Sequence, residues 1–152
     1  MYHNPHHTLK TTGMLILCIL AAAAMILAAP CVAQETISYA NGNYIKDMEI
    51  QGNYVWCATI GSLVRWNKTD GTYRQYTEKD GLADYFVTCI EKDDRGGLWI
   101  GTPKGVQRFD GAAFATFNTS NSGLANDKIS AIAPAKNGVV WIMTEGGLSR
   151  FD

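Results

Sequence analysis

Histidines, cysteines and carboxylates are the residues of this chain with the chemistry for acid–base, metal or nucleophilic work, and their placement removes most of it. His3, His6 and His7 lie within the first seven residues of a 152-residue chain, so nothing after Lys10 offers an imidazole. General-base histidine, a Ser–His pair, histidine-ligated zinc and a histidine phosphoryl acceptor are all excluded there. Of the four cysteines, Cys18 sits in an apolar run and Cys31 at its end. Cys57 and Cys89 remain, each in an apolar, strand-like stretch where a free thiol behaves as a small hydrophobe. An oxidising compartment permits a bridge between them; the expectation is that they stay unbridged. No Cys/His spacing or calcium loop is present, so no metal site and no cofactor are expected. Asp93 and Asp94 are adjacent carboxylates, but ahead of Arg95-Gly96-Gly97 they read as a solvated turn.

Charge narrows the partners. Lys and Arg number 13 against 14 Asp and Glu, a formal net charge of -1. With no cationic excess to displace counterions, nucleic acid is not an expected partner. Apolar residues make up 47% of the chain, which argues against disorder.

The N-terminus reads as a targeting segment. Met14 to Ala29 is a run of 16 residues without a polar side chain, with Lys10 before it and Pro30-Cys31-Val32-Ala33 after it. A basic flank, a short apolar core and small residues at a cut site describe a secretory signal. Cleavage is expected after Ala33, leaving a mature start near Gln34. The alternative is an uncleaved anchor, for which the run falls short of the roughly 20 apolar residues of a spanning helix. Lipidation at Cys31 fits poorly beside Pro30.

The rest of the chain repeats. Trp56, Trp99 and Trp141 are 43 and 42 residues apart, and each opens the same phrase: WCATIGSLVRWN, WIGTPKGVQRFD, WIMTEGGLSRFD. Thr59, Thr102 and Thr144 coincide, as do Arg65, Arg108 and Arg150. Upstream, Ile45, Val87 and Ile129 align, with Met48, Ile90 and Ile132 three residues on, and Gly81-Leu82 recurs as Gly123-Leu124. Self-similarity at this period is the mark of stacked supersecondary units.

Each unit is built of short strands. In the second, strands are predicted over 87–91, 98–102, 106–109 and 114–117, separated by Asp-, Gly- and Pro-containing turns. In the turn after the first strand, Asp94 is expected to accept turn amides. The repeated arginine is expected to tie neighbouring strands together. No helical periodicity appears beyond the apolar N-terminal run. Four strands in about 42 residues make a β-propeller blade. The fold expected is therefore all-β, a partial β-propeller of two complete four-stranded blades plus most of a third, after an N-terminal signal helix. The units run 1–33 for the signal peptide, 34–44 for a lead-in, and 45–86, 87–128 and 129–152 for repeats, the last incomplete. Ile37-Ser38-Tyr39 in the lead-in is a candidate closing strand.

These residues resemble a known family. Val87, Ile90, Asp93, Gly96, Leu98, Trp99, Ile100, Gly101, Thr102, Gly105, Val106, Arg108, Phe109 and Asp110 are similar to the two-component regulator propeller repeat. The first unit departs at Cys57-Ala58 and the third at Met143, where glycine is expected. The resemblance implies the N-terminal part of a bacterial sensor histidine kinase ectodomain, on the periplasmic or extracytoplasmic side. The implied partners are an oligosaccharide or other extracellular ligand. Asp94-x-Gly96-x-x-Trp99 also partly resembles the aspartate box of glycosidase propellers, with Lys92 in place of its serine.

Closed propellers take about four to eight blades, so the expected partners include the remaining blades of a longer parent or other copies of the chain. The function expected is ligand sensing without catalysis, since any kinase would lie downstream. The alternatives are a secreted carbohydrate- or protein-binding module and a glycosidase-type propeller fragment. A ligand face is expected in the loops 78–85 and 118–128, with Tyr85, Asn126 and Asp127 as candidate contacts; the competing reading is that these residues shape the turns. Asn67-Lys68-Thr69 and Asn118-Thr119-Ser120 match the glycosylation pattern, which matters only in a eukaryotic secretory route.

Overall fold

A computed structural model describes residues 44–152. The predicted signal peptide, its cut site and the candidate closing strand at Ile37-Ser38-Tyr39 lie outside the described residues. Eleven strands form three antiparallel sheets. The first sheet holds β1 (Ile45–Gln51), β2 (Tyr54–Thr59), β3 (Leu63–Asn67) and β4 (Tyr73–Tyr76). The second holds β5 (Cys89–Lys92), β6 (Leu98–Thr102), β7 (Gly105–Phe109) and β8 (Phe114–Phe117). The third holds β9 (Ile129–Pro134), β10 (Val140–Thr144) and β11 (Gly147–Phe151). In every sheet consecutive strands are neighbours, the up-and-down order of a propeller blade. The described residues are thus two four-stranded blades and three strands of a third, and their helical content is two single 3₁₀ turns, at Glu78–Asp80 and Lys136–Gly138. Among those residues no helix is long and apolar enough to cross a membrane.

The second strand of each blade explains the repeated tryptophan. β6 is buried over its whole length because it lies between two strands of its own sheet and between two neighbouring sheets. Trp56, Ala58, Leu63 and Tyr76 of the first sheet pack against Ile90, Leu98, Ile100 and Phe109 of the second, with Leu82 and Val87 of the connection between them. The same arrangement recurs one blade on, where Trp99 and Val106 meet Ile129, Ile132, Val140 and Ile142. Aromatic rings stitch each interface: Trp56 lies 5.7 Å from Phe109 edge-on, and Trp99 lies 5.9 Å from Phe117 and 5.7 Å from Phe151.

The repeated threonine closes the turn between the second and third strands. Thr59 Oγ1 donates to the Ser62 carbonyl at 2.7 Å, Thr102 Oγ1 to Gly105 at 2.8 Å and Thr144 Oγ1 to Gly147 at 2.9 Å. Each hydroxyl in turn accepts a turn amide, from Ser62, Lys104 and Gly146.

Three expectations need correction. The first strand of the second blade begins at Cys89 and not at Val87. The Val87 amide is instead spent across sheets, on the Thr59 carbonyl of the first blade at 3.1 Å, before the pairing of β5 begins. In the following turn the acceptor is Asp93, not Asp94. Asp93 Oδ1 takes the amides of Arg95 and Gly97, while Oδ2 takes the Trp99 indole at 3.2 Å and Arg108 Nε at 2.7 Å. Asp94 reaches out to the third sheet and accepts the Asn137 amide at 3.1 Å. The repeated arginine takes a different role in each blade. Arg108 ties β7 to the turn ahead of β6, Arg65 lies over the Tyr54 ring at 4.5 Å, and Arg150 pairs with Asp152 at 2.9 Å.

Candidate functional site

The first strands β1, β5 and β9 lie side by side, so residues at matching heights on them form a row across three blades. Ile45, Val87 and Ile129 hold the repeated apolar position. The next residue in each unit is polar: Lys46, Thr88 and Ser130. Just upstream, the connections between blades deliver Phe86 and Lys128 to the same level. The turns after the second strands add Pro103 and Glu145. Together these residues and Ile129 line a groove of about 400 Å³, within the range that binds small molecules.

The backbone around the groove is fixed by bonds between the segment leading into a blade and the turn after that blade's second strand. Ile60 donates its amide to the Tyr44 carbonyl at 3.1 Å, and Glu145 to Lys128 at 3.1 Å. In the second blade the same place is held by Pro103, which has no amide to give. That turn is tied instead through Gly105, whose amide donates to the Asp127 carbonyl at 2.8 Å.

The groove's charges are few. Lys128 Nζ meets Glu145 Oε2 at 3.0 Å, with both side chains exposed. Lys46 Nζ stands over the Tyr44 ring at 5.0 Å and over the Phe86 ring at 5.7 Å, a cation–π pairing with two partners. Further along β5, burial raises the carboxyl pKa of Glu91 above its usual range, helped by Glu49 and Asp47. Burial likewise pushes the Cys89 thiol up to about 11, so at neutral pH it is a packed thiol and not a nucleophile. Cys57 and Cys89 are both free and buried. Among the described residues no cluster of His, Cys, Asp and Glu is arranged to hold a metal.

The residues singled out from sequence lie next to the groove. Tyr85 precedes Phe86 and is exposed, and its carbonyl accepts the Gly61 amide at 2.9 Å. Asp127 precedes Lys128; its carbonyl accepts the Gly105 amide at 2.8 Å and its carboxylate the Thr119 amide at 2.7 Å. Asn126 Oδ1 accepts the Lys128 amide at 2.9 Å, as Asp84 Oδ1 does for Phe86 one blade earlier. Asn126 Oδ1 and Asp127 Oδ1 are thus engaged in shaping the connection that presents Lys128.

Sequence reasoning did not assemble Lys46, Phe86, Thr88, Lys128, Ser130 and Glu145. The signal was present in the alignment of the units, at positions next to repeated residues that themselves change from unit to unit.

Comparison with known proteins places the repeats. Residues 81–104 and 123–146 match the family described as Two component regulator propeller. A stretch of 48 residues is 38% identical to Histidine kinase P4 of Formosa agariphila, covering 32% of this chain and 4% of that protein. The extracellular domain of a proposed hybrid two component system from B. thetaiotaomicron superposes with a TM-score of 0.66 at 23% identity, over 79% of this chain and 18% of that one. The extracellular domain of a proposed one component system from the same organism gives 0.67 at 19% identity, over 77% and 17%. At these identities the structural likeness establishes the blade fold. The chain spans less than a fifth of either structure.

Proposed function

We propose that this chain is a ligand-sensing segment of an extracytoplasmic propeller in a two-component sensor, without catalysis of its own. The observation that carries this reading is the groove built from equivalent positions of three successive blades. A site shared among blades couples occupancy to the packing between them, because a ligand touching Lys46, Thr88 and Ser130 bears on three sheets at once. Such a site stabilises whichever arrangement of blades it fits best, and that differential affinity is what a sensor transmits. The family of the repeats and the apolar, secretion-like N-terminus support placement outside the cytoplasm. The absence of histidine after residue 7 and the high thiol pKa of Cys89 support a binding role over a chemical one.

The test is a screen of the full chain against soluble oligosaccharides, reading the unfolding temperature and then hydrogen exchange. A ligand at a hundred times its dissociation constant adds about 2.7 kcal/mol, which for a domain of this size raises the midpoint by several degrees. Protection is expected at 44–46, 86–88 and 128–130. Protection confined to other turns, or no stabilising saccharide in the library, contradicts the proposal.

A further inference from the structure

We infer that the groove selects a singly charged anion, the carboxylate of an acidic sugar, with Lys46 as its counter-ion; this rests on reading the groove as a ligand site. Three ionisable side chains line it: Lys46, Lys128 and Glu145. Lys128 and Glu145 neutralise one another at 3.0 Å. Among the described residues Lys46 makes no ion pair, and its ammonium stands over the faces of Tyr44 and Phe86. The rings attract the ammonium without supplying a full negative charge. Among the described residues the groove therefore carries one positive charge without a carboxylate partner.

That charge decides among ligand classes. A cation is repelled. A neutral ligand gains hydrogen bonds from the ammonium but no charge–charge attraction, and a dianion such as phosphate leaves one negative charge unmatched unless it displaces Glu145 from Lys128. A monoanion closes the balance. The remaining surface fits a saccharide: Phe86 and Pro103 present apolar area for the CH face of a ring, and the hydroxyls of Thr88 and Ser130 serve as both donors and acceptors. A uronic-acid residue combines that face, those hydroxyls and one carboxylate. Lys46, as a compact ammonium with three donors, suits a single carboxylate oxygen and needs no bidentate geometry.

The experiment, run about one to two pH units above neutral so that inorganic phosphate is the dianion while Lys46 stays charged, titrates the full chain with uronic-acid trisaccharides of the galacto, gluco and manno series, each beside its methyl ester, with phosphate as the dianion. At low salt at least one acid is expected to bind about tenfold or more tightly than its ester, with the advantage shrinking as salt screens the pair. Lys46→Met, which keeps most of the stem and removes the charge, should erase the difference between acid and ester, the acid falling to the affinity of its ester. Esters binding as tightly as acids, with protection at 44–46 and 128–130, would overturn the charge assignment and leave the groove as a ligand site. Phosphate binding more tightly than every acid would also overturn it. Binding of none of these probes would overturn this inference, and failure of the wider oligosaccharide screen as well would remove the reading on which it rests.

Discussion

Trp56 and Trp141 hold the same place in their sheets and meet opposite surroundings. Trp56 is 3% exposed, pressed between Tyr76 and Phe109, whereas Trp141 is 40% exposed on the outward face of the third sheet. Their neighbours divide the same way. Leu63 is fully buried and its counterpart Leu148 is 65% exposed. Ala58 and Gly101 are small where the next sheet approaches, while Met143 in the third sheet is 52% exposed. A side chain at Gly101 would place its Cβ 2.8 Å from Ile129 Cγ2 of the following sheet. Glycine is required there by the neighbour and not by the strand itself. The difference teaches that the repeat is written for interfaces: its conserved-looking positions are packing positions, and each acquires its meaning only when another blade covers it. The third sheet's outward face, and Met48, Ile50 and Tyr73 on the first, are the same surface without that cover.

The comparison is sharpest at tryptophan. Trp99→Ala removes a buried ring that also bonds to Asp93, and should cost about 3–5 kcal/mol in urea unfolding. Trp141→Ala should cost roughly half as much, about 2 kcal/mol, because that ring is already 40% exposed. Equal losses would mean that the outward face is covered in solution.

Next in size is the small-residue position. Gly101→Val forces apart β6, Cys89 and Ile129 and should cost about 1–3 kcal/mol, against about 0.5 kcal/mol or less for Met143→Ala on the open face.

Asp93 provides the pH test. Burial alone would raise its pKa, but the Arg108 hydrogen bond, the amides of Gly97 and Arg95 and the Arg108 charge outweigh that and hold the carboxyl below its usual range. A depressed folded value means the stabilisation is fully present above the ordinary Asp value near 4 and is lost as pH falls through the folded value. The unfolding midpoint of the parent should therefore drop below about pH 4. Asp93→Asn should be less stable by about 1 kcal/mol or a little more at neutral pH and should show a shallower acid limb. The third blade has Ala135 at the matching place, so no substitution there should alter the acid limb.

Much of the fold was legible because it depends on local rules. The strands at 98–102 and 114–117 follow from short apolar runs bounded by turn residues, and the blade count follows from the tryptophan spacing. What escaped depends on contacts between units. Val87 reads as strand because it is β-branched, yet its amide is spent on the previous sheet. Asp93 and Asp94 are indistinguishable as neighbours in sequence; what separates them is which one faces the Trp99 indole and Arg108. The groove was missed for the opposite reason. Lys46, Thr88 and Ser130 do not resemble one another, and a search for sameness passes over them. Tyr85 and Asp127 were singled out one residue short of Phe86 and Lys128, the side chains that line the groove.

The central claim is a division of labour, with repeated positions holding the blades together and the changing positions at the ends of the first strands meeting the ligand. It is tested most directly by thermal unfolding of the double variant Lys46→Ala/Ser130→Ala, with and without an acidic trisaccharide that stabilises the parent. The account predicts an unliganded stability within about 0.5 kcal/mol of the parent, as for exposed surface sites, and loss of the ligand-induced rise in midpoint. A drop in unliganded stability as large as that of Trp99→Ala, or a ligand-induced rise that survives both substitutions, would contradict it.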